Sequence, residues 1–95
     1  MQILVTSRHF QAPVYVREYA EEKVNKIHRY IKKPVVCRVI LSQESNSFTA
    51  EMKLTVKRKQ IFVKGKSDDI NKSIDIAYDK LVVRVKKFNE LRQAH

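Results

Sequence analysis

The stretch FTAEMKLTVK, residues 48–57, alternates without a fault. Phe48, Ala50, Met52, Leu54 and Val56 are apolar, and Thr49, Glu51, Lys53, Thr55 and Lys57 between them are polar. Successive side chains of an extended strand point to opposite faces, so a period of two predicts a strand with one face buried and one in water. A sheet that is wet on one side is the habit of antiparallel pairing. The chain must therefore contain a half-covered sheet and something apolar to cover it.

Two amphipathic helices supply the cover. Pro13 suits a first helical turn, where its missing N–H is no loss. After it, Val16, Ala20, Val24, Ile27 and Ile31 recur at steps of three and four, which predicts one buried helical face. Lys32-Lys33-Pro34 ends that helix, because the residue before a proline is steered away from helical angles. Near the other end of the chain, Ser67-Asp68-Asp69 is an N-cap cluster with acids at the positive end of the helix dipole. Ile70, Ile74, Ala77, Leu81, Val85 and Phe88 then mark the buried face of a long second helix.

The remaining strands are shorter signals. Gln2–Ser7 and Val35–Gln43 are rich in β-branched residues, and Gln60–Lys66 follows a basic hairpin tip at Lys57–Lys59. Glu44–Ser47 is turn chemistry. The only glycine, Gly65, falls where a strand ends or lets a helix approach closely. The order is β-α-β-β-β-α, an α+β fold: a four-stranded mixed sheet with two helices packed on one face. The first two strands, joined through a helix, are expected as parallel neighbours with a right-handed crossover. At 95 residues, the chain is read as a single domain over residues 1–95.

Catalysis finds little to work with. His9, His28 and His95 fall in a loop, on a helix surface and at the terminus, without metal-ligand spacing on a common element. Cys37 is in phase with Val35, Val39 and Leu41 and reads as a small core residue rather than a nucleophile. Asp75 and Asp79, four apart on the second helix, read as helix surface rather than as a carboxylate pair. One glycine cannot build a phosphate loop. No enzyme, metal or cofactor is expected. The N-terminal residues lack a signal-peptide pattern, no apolar run nears the roughly 20 residues of a membrane helix, and a single cysteine suits a reducing cytoplasm.

Charge is the informative feature. Lys and Arg number 20 against 10 acids, a formal net charge of +10 that attracts polyanions. On the second helix Lys80, Arg84 and Lys87 share one stripe at steps of four and three, setting cation against cation, and only Lys87 has a candidate acid nearby, Glu90. The first helix has a broader set, Lys23, Lys26, Arg29 and Lys33. If the helices pack side by side, the two stripes merge into one groove that fits phosphates. An anionic membrane surface is a poorer partner, since the apolar helix faces are needed for the core. Phe62 is the one aromatic expected on the open sheet face, so recognition should go by shape and phosphate rather than by stacked bases. With Val36 and Ile40 it is also a candidate apolar patch there.

The motifs EEKVNKIHRY (21–30) and DDINKSIDIAYDKL (68–81) resemble the ribosome hibernation-promoting factor family, also called ribosome-associated inhibitor or sigma-54 modulation proteins. The second motif is the more specific, through Asp69-Ile70, Ser73-Ile74-Asp75 and Asp79-Lys80-Leu81, with Ser73 where the family usually has alanine. The likeness covers the whole chain and matches the short form, which lacks a C-terminal dimerisation domain. It implies a fold similar to double-stranded-RNA-binding domains. It also implies a cytoplasmic protein bound to the rRNA of the small ribosomal subunit, between head and body, along the mRNA channel and the A and P tRNA sites. There it would block initiation and protect idle ribosomes in stationary phase, with other hibernation factors as partners on ribosome dimers and a monomer off the ribosome. Family RNA contacts map onto Lys23, Lys26, Lys80 and Lys87, while Arg29, Lys33 and the Lys57–Lys59 tip are added from charge alone. Val83 stands where the family often has a basic residue, with Arg84 next to it. The alternatives are a double-stranded RNA binder unrelated to ribosomes, and a protein-interaction module such as a sigma-factor modulator.

Overall fold

The computed structural model describes residues 1–34 and 36–93. Its elements follow the expected order: β1 (Gln2–Arg8), α1 (Val14–Asn25), a 3-10 turn (Lys26–Arg29), β2 (Val36–Glu44), β3 (Ser47–Val56), β4 (Lys59–Ser67) and α2 (Ile70–Gln93). The sheet order is β1-β2-β3-β4. β1 runs parallel to β2, with Val5 opposite Val39, and the other two pairs are antiparallel. This is the α+β fold with a mixed sheet that the hydropathy pattern predicts.

The alternation in β3 sorts as read: Ala50, Met52, Leu54 and Val56 are buried. They meet Cys37, Val39 and Leu41 of β2, Ile61 and Val63 of β4, and Val5 of β1 in one core. Val16, Ala20, Val24, Ile27 and Ile31 are all buried under α1 and its extension. Ile74, Ala77, Leu81 and Val85 are buried on α2, while Ile70 and Phe88 pack at its margin. α2 lies across β3 and β4, and α1 packs on β1 and against α2.

Gly65 fulfils the second of its two expected roles. β4 continues through it to Ser67, and α2 rests directly on it. A β-carbon there would fall on the Ser73 carbonyl oxygen and lie 2.6 Å from the Ala77 amide nitrogen. Ser73 is buried beside this contact, with its hydroxyl 2.8 Å from the carbonyl oxygen of Phe48 on β3 and 2.9 Å from Ser67 Oγ. Ser73 thus ties α2 to two strands. One residue before the helix, Asp69 accepts the Lys72 amide at 3.3 Å, as an N-cap should.

The first helix differs from the reading. Its α-helical part ends at Asn25, and Lys26–Arg29 tighten into a 3-10 turn, a common way for a helix to close. Lys33 is not helical: Pro34 disfavours the right-handed region for the residue before it, and Lys33 takes φ 59°. Both hairpin loops have two residues, Ser45-Asn46 and Lys57-Arg58, and Lys59 already pairs with Val56 in the sheet. Val35, expected to open the second strand, lies outside the described residues, as does His95.

Candidate nucleic-acid interface

The helices do pack side by side, but the two basic stripes do not merge. The face of α2 that meets α1 carries Asp75, Tyr78, Lys86 and Asn89. Asp75 accepts the Tyr19 hydroxyl at 2.5 Å and pairs with Lys23 at 3.2 Å. Asn89 Nδ2 donates to the Tyr30 carbonyl oxygen at 2.6 Å, and the Lys86 ammonium stands 5.3 Å from the centroid of the Tyr30 ring. Lys80, Arg84 and Lys87 project from the opposite flank, roughly half the helix circumference away at 100° per residue. There the Lys80 ammonium donates to the Lys64 carbonyl oxygen at 2.8 Å and the Arg84 guanidinium to that of Phe62 at 3.5 Å. Both acceptors belong to β4, the edge of the sheet. Which flank of α2 faces α1 is set by strand order, and helical periodicity alone cannot supply it.

The candidate residues therefore fall into two groups. Lys23, Lys26 and Arg29 belong to the side formed by α1 and its 3-10 extension. Lys23 is the least available of them: its side chain is 24% exposed, salt-bridged to Asp75 and 5.6 Å from the centroid of the Tyr78 ring. Arg29 makes itself felt on Tyr78, whose phenol is pushed up by burial and by Tyr30 but pulled back by the Arg29 guanidinium. Lys26 and Arg29 are exposed and enter no ion pair among the described residues. Lys33 sits beyond them in its loop. The second group, Lys80, Arg84 and Lys87, is exposed along the β4 edge, where Lys59 and Lys64 join it. Lys87 does not pair with Glu90, and Lys80, Arg84 and Lys87 have no acid partner among the described residues, whereas Lys64 pairs with Glu51.

A third basic surface was not anticipated. The open sheet face aligns Leu4, Arg38, Lys53 and Phe62 in one row across the four strands. Arg38 stands directly opposite Lys53, an arrangement of like charges that costs sheet stability. The next row contains Glu51, which bridges Arg8 at 3.5 Å and Lys64 at 3.9 Å, and Lys66 lies beyond it. Val36, Ile40 and Phe62 share this face, but Arg38 stands between Val36 and Ile40 on β2, and Lys53 on β3 stands between Arg38 and Phe62, so these three side chains form no continuous apolar patch. Lys64 and Lys66 were missed because a lysine at a polar position of an alternating strand looks like ordinary solvent surface. Lys86 was missed because its partner ring is far away in sequence.

Burial pushes the Cys37 thiol up to about 12, leaving it protonated and unreactive near neutrality. Asp75 is engaged with Tyr19 and Lys23, and Asp79 is exposed beside it. Among the described residues, no three His, Cys, Asp or Glu side chains gather as a metal site, and no helix is long and apolar enough to cross a membrane.

Known proteins share this architecture. The N-terminal domain of Protein Y from Thermus thermophilus superposes with a TM-score of 0.82 at 27% identity, covering 93% of this chain and 99% of that one. A ribosomal subunit interface protein from Coxiella burnetii has the same fold, with a TM-score of 0.84 at 20% identity over 95% of this chain and 99% of its own. In sequence, the ribosome hibernation promoting factor of Pseudomonas putida is 24% identical over 99% of this chain and 92% of its own length. That of Azotobacter vinelandii is 24% identical over 95% and 84%. The family described as sigma 54 modulation protein / S30EA ribosomal protein matches residues 3–93, and the chain belongs to that family.

Proposed function

We propose that this protein is a ribosome hibernation factor that lies in the mRNA channel of the small ribosomal subunit, over the A and P tRNA sites, and blocks initiation by occupying them. Relatives bearing the hibernation name support the biological role. The observation that carries the mode of binding is the distribution of charge. Cations stand on the α1 side (Lys26, Arg29), along the β4 edge (Lys80, Arg84, Lys87) and on the open sheet face (Arg38, Lys53). A flat anionic partner would neutralise one of these surfaces and leave the others facing water. A channel walled by rRNA takes up all three, each phosphate contact releasing counterions. The action is steric, by lysines and arginines held on rigid elements, and its place is the cytoplasm, where ribosomes work.

Sedimentation of the protein with purified small subunits across a salt series, with initiator tRNA as competitor, tests this reading. Saturable, stoichiometric binding that is lost to salt and to tRNA is expected. Weak, unsaturable binding indifferent to tRNA would overturn it. Binding that persists at high salt and tolerates charge reversal of the stripes would point instead to a protein-interaction module.

A further inference from the structure

Several cations of this protein are held by its own groups. Arg17, Lys80 and Arg84 donate to strand carbonyls, Arg8 and Lys64 pair with Glu51, and Lys23 pairs with Asp75. Arg38 and Lys53, at the centre of the open sheet face, are not. Both are exposed, and neither makes a hydrogen bond or an ion pair among the described residues. They face each other in register across β2 and β3, where the β-carbons of opposed residues lie about 4.5–5.5 Å apart. Two cations so close repel, and one anion seated between them turns the repulsion into attraction from both sides.

Phe62 is next in the same row, directly opposite Lys53. It lies between the buried Ile61 and Val63, so its side chain projects from the open face with those of Arg38 and Lys53. Phe62 is 48% exposed, and its ring meets no other ring and no cation among the described residues. From the midpoint of the Arg38–Lys53 pair to Phe62 is one and a half strand spacings, roughly 7 Å. A nucleotide's sugar spans such a gap between phosphate and base.

We propose that this row binds one unpaired nucleotide of an RNA strand, its phosphate between Arg38 and Lys53 and its base against the Phe62 ring. The inference rests on the reading that the protein binds RNA, and names a site within it. One ring cannot stack a run of bases, so the face takes a single unpaired nucleotide, while the helix cations follow phosphates whatever the base. A duplex does not fit the row, since its bases are stacked inside and out of reach of the ring. Gln60, exposed two residues before Phe62 on the same face, adds an amide donor and acceptor beside the ring for the edge of the base.

Fluorescence anisotropy with a labelled RNA decamer of uridines, and with a decamer of the same backbone lacking every base, tests the site. The wild-type protein is expected to bind the base-bearing strand about 5- to 100-fold more tightly, the range of one base stacked on an aromatic side chain. Phe62→Ala should erase that preference and leave the base-free strand bound as before, and Phe62→Tyr should keep it. Arg38→Gln combined with Lys53→Gln should weaken both strands and make the salt dependence shallower by the slope of about one phosphate. Equal wild-type affinity for the two strands, a preference that survives Phe62→Ala, or unchanged binding by the Arg38–Lys53 variant would overturn the proposal. If the wild-type protein shows no preference yet sediments with small subunits, the nucleotide site alone falls; if it binds neither RNA nor subunits, the ribosome reading falls with it.

Discussion

The Lys80 ammonium on α2 donates to the carbonyl oxygen of Lys64 on β4 at 2.8 Å. The contact gives a lysine of the repelling stripe a structural task, separable from the binding role proposed for it. Lys87 makes no such bond among the described residues, so its replacement removes charge without removing a tie to β4. The double variant Lys80→Glu, Lys87→Glu should abolish small-subunit binding in the sedimentation assay. Its stability in chemical denaturation should stay within about 1 kcal/mol of the wild type, because one exposed hydrogen bond is lost and cationic repulsion is relieved. A folded double variant that binds normally would remove the β4 edge from the interface.

The hydroxyl of Tyr19 donates to Asp75, and this bond, more than burial, raises its pKa from 10.0 to about 12. Between those values the folded protein holds a proton that the unfolded chain has released, so the contribution is complete below pH 10 and is lost as pH rises toward 12. Cys37 and Tyr78 are also raised and add to the loss on the alkaline side. Tyr19→Phe should therefore be less stable than the wild type at pH 8. The gap should close by pH 12, measured by urea unfolding at each pH. A gap that is constant across the series would mean that the Tyr19–Asp75 bond does not set the alkaline response.

Gly65→Ala should cost about 1–3 kcal/mol, the usual penalty for overpacking a tight contact, since the new methyl meets backbone of α2 rather than a movable side chain. Ser73→Ala removes hydroxyl contacts to Phe48 and Ser67 without adding volume. It should cost only about 0.5–1.5 kcal/mol. Thermal unfolding of the two variants side by side should rank them in that order, and the reverse order would show that α2 is held by the hydroxyl network rather than by its close seat on β4.

Arg38 and Lys53 face each other across β2 and β3. Lys53→Glu turns this repulsive pair into an attractive one and should stabilise the free protein by about 0.2–1 kcal/mol at low salt, with the gain fading as salt rises. Subunit binding by the same variant should weaken. If stability rises while binding is untouched, the open sheet face stands outside the interface.

Much of the fold was legible because periodicity reports burial. Every core position read from the first helix is buried, as are the alternating residues of β3 from Ala50 to Val56. What periodicity omits is rotation within the assembly. It marks the face of α2 that meets the sheet, but which flank then meets α1 depends on where β4 sits, and the expected single groove became two separate surfaces. Tyr78 escaped the core reading because its hydroxyl gives it a polar label while its ring is buried. Lys33 left its assigned helix because the helix already closes through the 3-10 turn at Arg29, four residues earlier than the proline signal marks. The site was legible in kind, as unpaired cations on helices, and illegible in extent, because the cations of the strands acquire meaning only when register sets them side by side.

Both edges of the sheet are closed in the same way. On β1, Arg17 of α1 donates to the Val5 carbonyl oxygen at 3.1 Å, and on β4, Lys80 and Arg84 do the same for Lys64 and Phe62. An open edge is a template on which a second chain can lay a strand, and from there a third. Here each such joint would first have to strip a cation from its carbonyl and then bring together two copies that carry ten net positive charges apiece. The same cations that repel one another along the helix therefore also oppose the laying of one copy's strand on another's edge.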